Sequence, residues 1–262
     1  MAPEQLSFRL DPALPEPGDV APMWPVPRPD AFDSPDFLFE PTWGGHRVLA
    51  FVGPAEVPGT GGVRLLDPTG LDLAPRLPEL AGLAVRVAAR SAVLDGELVV
   101  VDGSGRADDD GLRTRLNGSP GRPIALLVFD VLHLDGVWLL RTPLEKRRAT
   151  LRRILRPGDE VVVVPAIAGE GRALHEAVSA QGIAGVLARR RTSPYLPGVR
   201  SRLWRSVTVA PLGATPTAAA AKADADEMAA AEDIGGGADR AERVLALIRR
   251  LPLEFDDEDR ST

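Results

Sequence analysis

Two charged side chains interrupt an apolar stretch that runs Phe37-Leu38-Phe39-Glu40-Pro41-Thr42-Trp43-Gly44-Gly45-His46-Arg47-Val48-Leu49-Ala50-Phe51. Glu40 and Arg47 flank a Gly-Gly pair, and the pattern reads as a strand, a tight turn and a second strand. A carboxylate and a guanidinium so placed can form a cross-strand ion pair. A second acidic group, Glu97, lies in Asp95-Gly96-Glu97, where it can cap or pair within a turn. The densest basic stretch holds Arg189, Arg190, Arg191, Arg200, Arg202 and Arg205, with Tyr195 and Trp204 interleaved. Arginines and aromatics in that mixture can grip a phosphate backbone, or form a solvated loop. His46, His133 and His175 have no metal-ligand spacing. The chain has no cysteine, so disulfides and thiolate metal sites are excluded.

These groups need elements to position them. Strands are expected at 37–43, 46–52, 63–67, 91–102, 123–132, 161–167, 184–190 and 203–210. Helices are expected at 76–88, 109–116, 143–155 and 171–181. In the third helix Leu144, Leu151 and Ile154 fall on one face, with Arg and Glu on the other and Lys146 toward solvent. Hairpin-like spacing between the strands predicts an α+β fold with antiparallel sheets. Residues 1–35 are rich in proline and read as an extended arm. Residues 36–210 form the folded domain. Residues 211–238 are a low-complexity linker, and 239–262 are a short amphipathic helix with an acidic tail.

The 262 residues are 44% hydrophobic and carry a net charge of -6. That composition supports a sizeable core and argues against a dedicated nucleic-acid coat, while leaving room for a local basic face. No run has the length of a membrane helix and no secretory signal is visible, so a cytoplasmic protein is expected. Lys146 and Lys222 are the two lysines; every other fixed cation is arginine.

Six segments, taken in order, carry a family resemblance. They are Phe37–Phe51, Val93–Asp102 (VLDGELVVVD), Leu127–Gly136 (LVFDVLHLDG), Pro143–Arg148 (PLEKRR), Ile183–Arg190 (IAGVLARR) and Ser193–Val207 (SPYLPGVRSRLWRSV). Over about residues 20–210 they resemble the adenylation (nucleotidyltransferase) domain of ATP-dependent DNA ligases, and most of all the ligase module of bacterial end-joining enzymes. The resemblance implies ATP and Mg²⁺ as cofactors, and DNA ends or a DNA-repair protein as partners. It implies nucleotide contacts by Glu40, Arg47, Glu97 on the ribose, Phe129 on adenine, and Arg189.

The same alignment of motifs shows selective loss. Thr42 stands where the family's lysine attacks ATP, and Gly44 where its aspartate sits. Asp67-Pro68-Thr69-Gly70 replaces a segment that carries an arginine. Ala184 replaces the glutamate that helps hold a metal, and Arg189 replaces a lysine. Ser206 and Thr208 replace two phosphate-gripping lysines. A deprotonated lysine amine forms a labile phosphoramidate; a threonine hydroxyl without an adjacent base is a weak nucleophile and would form a stable phosphodiester. GC bias toward arginine accounts for Arg189 but not for Thr42, Ser206 or Thr208. The family's oligonucleotide-binding domain is not evident after the fifth motif. Two function classes follow. One is a catalytically degenerate DNA-repair module that binds DNA, nucleotide or a partner, with Arg190, Arg200 and Arg202 as DNA contacts. The other is an active ligase or nucleotidyltransferase with unusual site chemistry.

Overall fold

A computed structural model describes residues 14–16, 18–53, 62–103 and 105–209. The expected linker, C-terminal helix and acidic tail lie outside the described residues. Eleven strands among the described residues build two sheets. The first contains β1 (Trp24–Pro27), β2 (Ser34–Thr42), β9 (Ile167–Gly169), β10 (Gly185–Arg190) and β11 (Arg200–Thr208), in the order β1-β11-β10-β2-β9. The second runs β4 (Val63–Leu66), β3 (His46–Val52), β5 (Ala92–Val99), β6 (Ala125–Leu134) and β7 (Val137–Trp138), with β8 (Val161–Val163) pairing β6. Most pairs are antiparallel, as expected, but β1–β11 and β6–β8 are parallel. The fold is α+β.

The helices are α1 (Leu83–Arg86), α2 (Asp109–Leu116), α3 (Leu144–Ile154) and α4 (Gly171–Ala180). The helix expected at 76–88 is instead two 3₁₀ turns, Ala74–Arg76 and Pro78–Leu80, followed by the one-turn α1. Pro75 and Pro78 each lack an amide donor and open a new turn rather than extend a helix. The strand expected at 161–167 splits at Pro165 into β8 and β9, which join different sheets.

One core cluster joins both sheets and α4, through Phe39, Trp43, Trp204, Phe129, Leu127 and Val178. A second lies on the other face of the second sheet, where Leu77, Leu80, Leu83, Leu151 and Ile154 cover Val48, Leu94 and Leu126. The central strand β5 is buried along its whole length, as a strand covered on both faces must be.

The Gly-Gly turn is not a hairpin. β2 pairs with β10 and β9, whereas β3 pairs with β4 and β5. Trp43, Gly44 and Gly45 carry the chain from one sheet to the other. Gly44 has φ +71°, a left-handed backbone that glycine adopts without strain, and a Cβ on Gly45 would lie 2.3 Å from the Leu98 carbonyl oxygen, so space requires glycine at 45. The N-terminal arm also differs from expectation. Residues 24–27 form the edge strand β1, and Met23 is fully buried.

Candidate functional site

The crossover brings the end of β2 against the middle of β5. The Thr42 hydroxyl donates to Glu97 Oε2 at 3.2 Å, and the Trp43 amide donates to Glu97 Oε1 at 3.0 Å. Burial raises the Glu97 pKa; these donors and the nearby Arg47 oppose the rise without cancelling it. The sequence reading gave Thr42 no adjacent base, yet the fold sets a carboxylate beside its hydroxyl. Gly44 follows at once, and a Cβ there would touch Ala184 Cβ at 3.4 Å.

Arg47 does not pair with Glu40. Its Nε and Nη2 donate to the two Asp95 oxygens at 2.6 Å each, and Nη2 also reaches the Met23 carbonyl at 3.3 Å. Burial works against its charge, but Asp95 overcomes this and holds its pKa above the ordinary arginine value. Tyr195 closes the group: its hydroxyl donates to Asp95 at 2.7 Å and accepts from the Met23 amide at 2.9 Å. Tyr195 is thus a buried clasp between the N-terminal segment and the second sheet, not an exposed aromatic.

Glu40 lies among guanidinium groups. Arg189 donates to it from Nε at 2.9 Å and Nη2 at 2.7 Å, and Arg148 Nη1 donates to the same carboxylate. Arg189 Nη1 also donates to Asp130 at 3.0 Å, and Nη2 to the Phe129 carbonyl at 2.7 Å. Asp130 accepts two bonds from Arg147, at 2.8 and 2.9 Å. Burial alone would raise the Asp130 pKa; Arg147 and Arg189 reverse that and lower it. Burial likewise disfavours charge on Arg189, and Glu40 with Asp130 overcomes it.

The aromatic residues complete this layer. The Arg47 guanidinium lies 4.6 Å from the Phe129 ring centre, and that of Arg189 lies 5.1 Å from it. Arg189 is also 4.9 Å from the Trp204 ring. Four buried or half-buried arginines, Arg47, Arg147, Arg148 and Arg189, therefore face four acids, Glu40, Asp95, Glu97 and Asp130. Among the described residues, no group of three or more His, Asp or Glu side chains has an arrangement able to hold a metal ion.

Arg147 and Arg148 were expected on the solvent face of α3 and are buried. The signal was present: positions 144, 147, 148 and 151 make one helical stripe, so both arginines share a side with the leucines. Lys146 is exposed, as expected. The basic stretch divides. Arg189 is buried; Arg190 pairs with Asp36 at 3.1 Å, Arg191 with Glu145 at 3.1 Å, and Arg200 donates to the Pro25 carbonyl at 2.7 Å. Arg202 is exposed and has no such partner among the described residues.

An α+β fold of mixed sheets with few helices matches ligase nucleotidyltransferase domain structures. The ATP dependent DNA ligase domain family matches residues 30–207, and the chain belongs to that family. It is 34% identical over 168 residues to the multifunctional non-homologous end joining DNA repair protein LigD of Mycobacterium tuberculosis, covering 64% of this chain and 21% of that protein. It is 36% identical over 181 residues to a probable DNA ligase of Kineococcus radiotolerans, covering 62% and 35%. Among solved structures, mycobacterial DNA ligase D complexed with ATP and MES superposes with a TM-score of 0.61 at 31% identity, covering 72% of this chain and 60% of that one. The ligase domain of M. tuberculosis LigD gives 0.60 at 31% identity, covering 71% and 58%. The chain thus spans only about a fifth to a third of these curated relatives. No helix among the described residues is long and apolar enough to cross a membrane.

Proposed function

We propose that this chain is a non-catalytic member of the DNA ligase family that binds DNA in end-joining repair without transferring AMP. The observation that carries this reading is the occupied interior. Arg189 bridges Glu40 and Asp130 and lies against Phe129 and Trp204, while Thr42 and the Trp43 amide take up Glu97. Every group that family resemblance marks for the nucleotide is held by the chain itself.

ATP with a divalent ion, which the family name implies, does not fit these residues. Both oxygens of Glu40 already accept from guanidinium groups. Four acids balance four arginines between the sheets, which leaves no surplus positive charge for a triphosphate. Ala184, Ser206 and Thr208 supply neither a metal carboxylate nor a phosphate-gripping cation. A buried charge left unpaired is costly, so a triphosphate would have to break pairs that the core holds.

One contact favours a second reading. The Thr42 hydroxyl at 3.2 Å from Glu97 has a base beside it. In that reading Thr42 Oγ1 attacks the α-phosphorus of ATP, Glu97 takes the proton and pyrophosphate leaves. The product would be a stable threonyl phosphodiester, a dead end for ligation. One experiment separates the readings: incubation with ATP labelled at the α-phosphate and Mg²⁺ or Mn²⁺, then denaturing separation. The non-catalytic reading expects no labelled protein. An acid-stable label lost in Thr42→Ala would support the second reading. An acid-labile label would overturn both, with Lys146→Ala as the first control.

A further inference from the structure

The proposed DNA binding needs a surface, and the arginines that the fold leaves unneutralised point to one. β1 is an edge strand lying parallel to β11, with Val26 opposite Arg205 and the Arg28 amide bonded to the Ser206 carbonyl at 2.9 Å. This register sets Arg28, from the segment expected to be an extended arm, next to Ser206 and one residue from Arg205, while Arg202 lies three residues earlier on the same strand, where the pairing shifts register. Arg28 and Arg202 are exposed, and Arg205 is half-buried. Among the described residues none of the three has a carboxylate within ion-pair distance. Their neighbours in sequence are unlike them: Arg189, Arg190 and Arg191 are all paired with acids. The like charges are felt locally. After partial burial, Arg202 and Arg28 are what lower the Arg205 pKa. Arg28 Nε donates to the Asp30 carbonyl at 3.0 Å and its guanidinium lies 4.4 Å from the Phe32 ring centre, contacts that supply no opposite full charge.

In a chain of net charge -6, three arginines without carboxylate partners on one edge are a local positive field. An exposed row of phosphates satisfies such a group directly, because each arginine can bind a phosphate with two parallel hydrogen bonds and release a condensed counterion. We propose that Arg28, Arg202 and Arg205 form the contact surface for the DNA phosphate backbone, outside the layer that contains Glu40, Phe129 and Arg189. The contact is independent of base sequence, since it carries no groove-reading element. It rests on the DNA-binding reading above and revises the expected contacts: Arg202 stays, Arg28 and Arg205 join it, and Arg190 and Arg200 leave.

The test is a fluorescence-anisotropy titration of a short blunt-ended DNA duplex with the full chain, between about 50 and 200 mM salt. Three proteins are compared: the native chain, Arg28→Gln/Arg202→Gln/Arg205→Gln, and Arg141→Gln/Arg152→Gln/Arg153→Gln. The third removes the same charge from exposed positions elsewhere. Thermal unfolding of each confirms that the fold is kept. The triad variant should bind at least about tenfold more weakly at the lowest salt, and its log–log salt slope should flatten by roughly 2–3. The control should change both far less. If native and triad proteins bind alike, this inference falls while DNA binding stands, and the arginines merely guard a sheet edge against pairing. If the native chain does not bind even at low salt, the DNA-binding reading falls with it. Equal loss in triad and control variants would mean that net charge, not this surface, governs the contact, and would also overturn the proposal.

Discussion

Replacing Arg189 tests whether the polar layer is a structural core. Arg189→Met keeps most of the side-chain volume and removes the charge. The loss is worked from its partners: two bonds to Glu40, one to Asp130 and one to the Phe129 carbonyl, all fully buried. Removing one member of a buried ionic group costs about 3–5 kcal/mol, mostly by leaving the opposite charge without compensation. Glu40 keeps Arg148 and Asp130 keeps Arg147, which argues for the low end, about 3 kcal/mol. For a domain of this size that is a fall in Tm of about 6–12 °C. Arg189→Lys keeps the charge but loses the planar fork, so it should fall between the two. The pH dependence gives a second readout. The Asp130 pKa is lowered in the folded chain, so its contribution is present above the ordinary aspartate pKa and lost as pH falls through the lower folded value. Arg189→Met removes part of that lowering. Its deficit should therefore be largest at neutral pH and shrink as the solution is made acid. Thermal unfolding by circular dichroism over a pH series measures both effects. A neutral-pH loss under about 2 °C, or a deficit that grows on acidification, would refute the reasoning.

Two further outcomes follow from the same geometry. Thr42→Lys should not restore nick sealing: it supplies an amine but leaves Ala184, Ser206 and Thr208, which offer neither a metal carboxylate nor a phosphate-gripping cation, and groups that act as one unit are not repaired singly; a gel assay of a nicked duplex checks this. Tyr195→Phe should destabilise by about 1–3 kcal/mol, because the Met23 amide loses its acceptor and Asp95 a donor; denaturant unfolding measures it, and a Tyr195→Phe midpoint equal to the native one would contradict the clasp.

Which parts of this arrangement could be read from the chain depends on how far apart the partners lie in sequence. Most strand positions and the burial of Leu144, Leu151 and Ile154 on α3 were legible because periodicity is local, and α2 falls on Asp109–Leu116 as expected. The Gly44–Gly45 turn was misread because a Gly-Gly pair serves equally well in a hairpin and in a crossover between sheets; only the remote carbonyl of Leu98 distinguishes them. Glu40 and Arg47 were matched with each other for being close in sequence, yet their true partners are 149 and 48 residues away. β1 escaped notice because Trp24-Pro25-Val26-Pro27 has the composition of a loop, and prolines are tolerated only at an edge, where no amide on that side is needed. The family motifs singled out positions in the chain, but not the contacts their side chains make. Arginine at 189 reads in sequence only as a positive charge; in space its fork joins two acids and lies against two aromatic rings. Lysine has neither the number nor the planarity of donors for that task. Arg189 is therefore physically tied to Glu40 and Asp130: without it, each of these two buried carboxylates would depend on a single guanidinium, that of Arg148 or of Arg147.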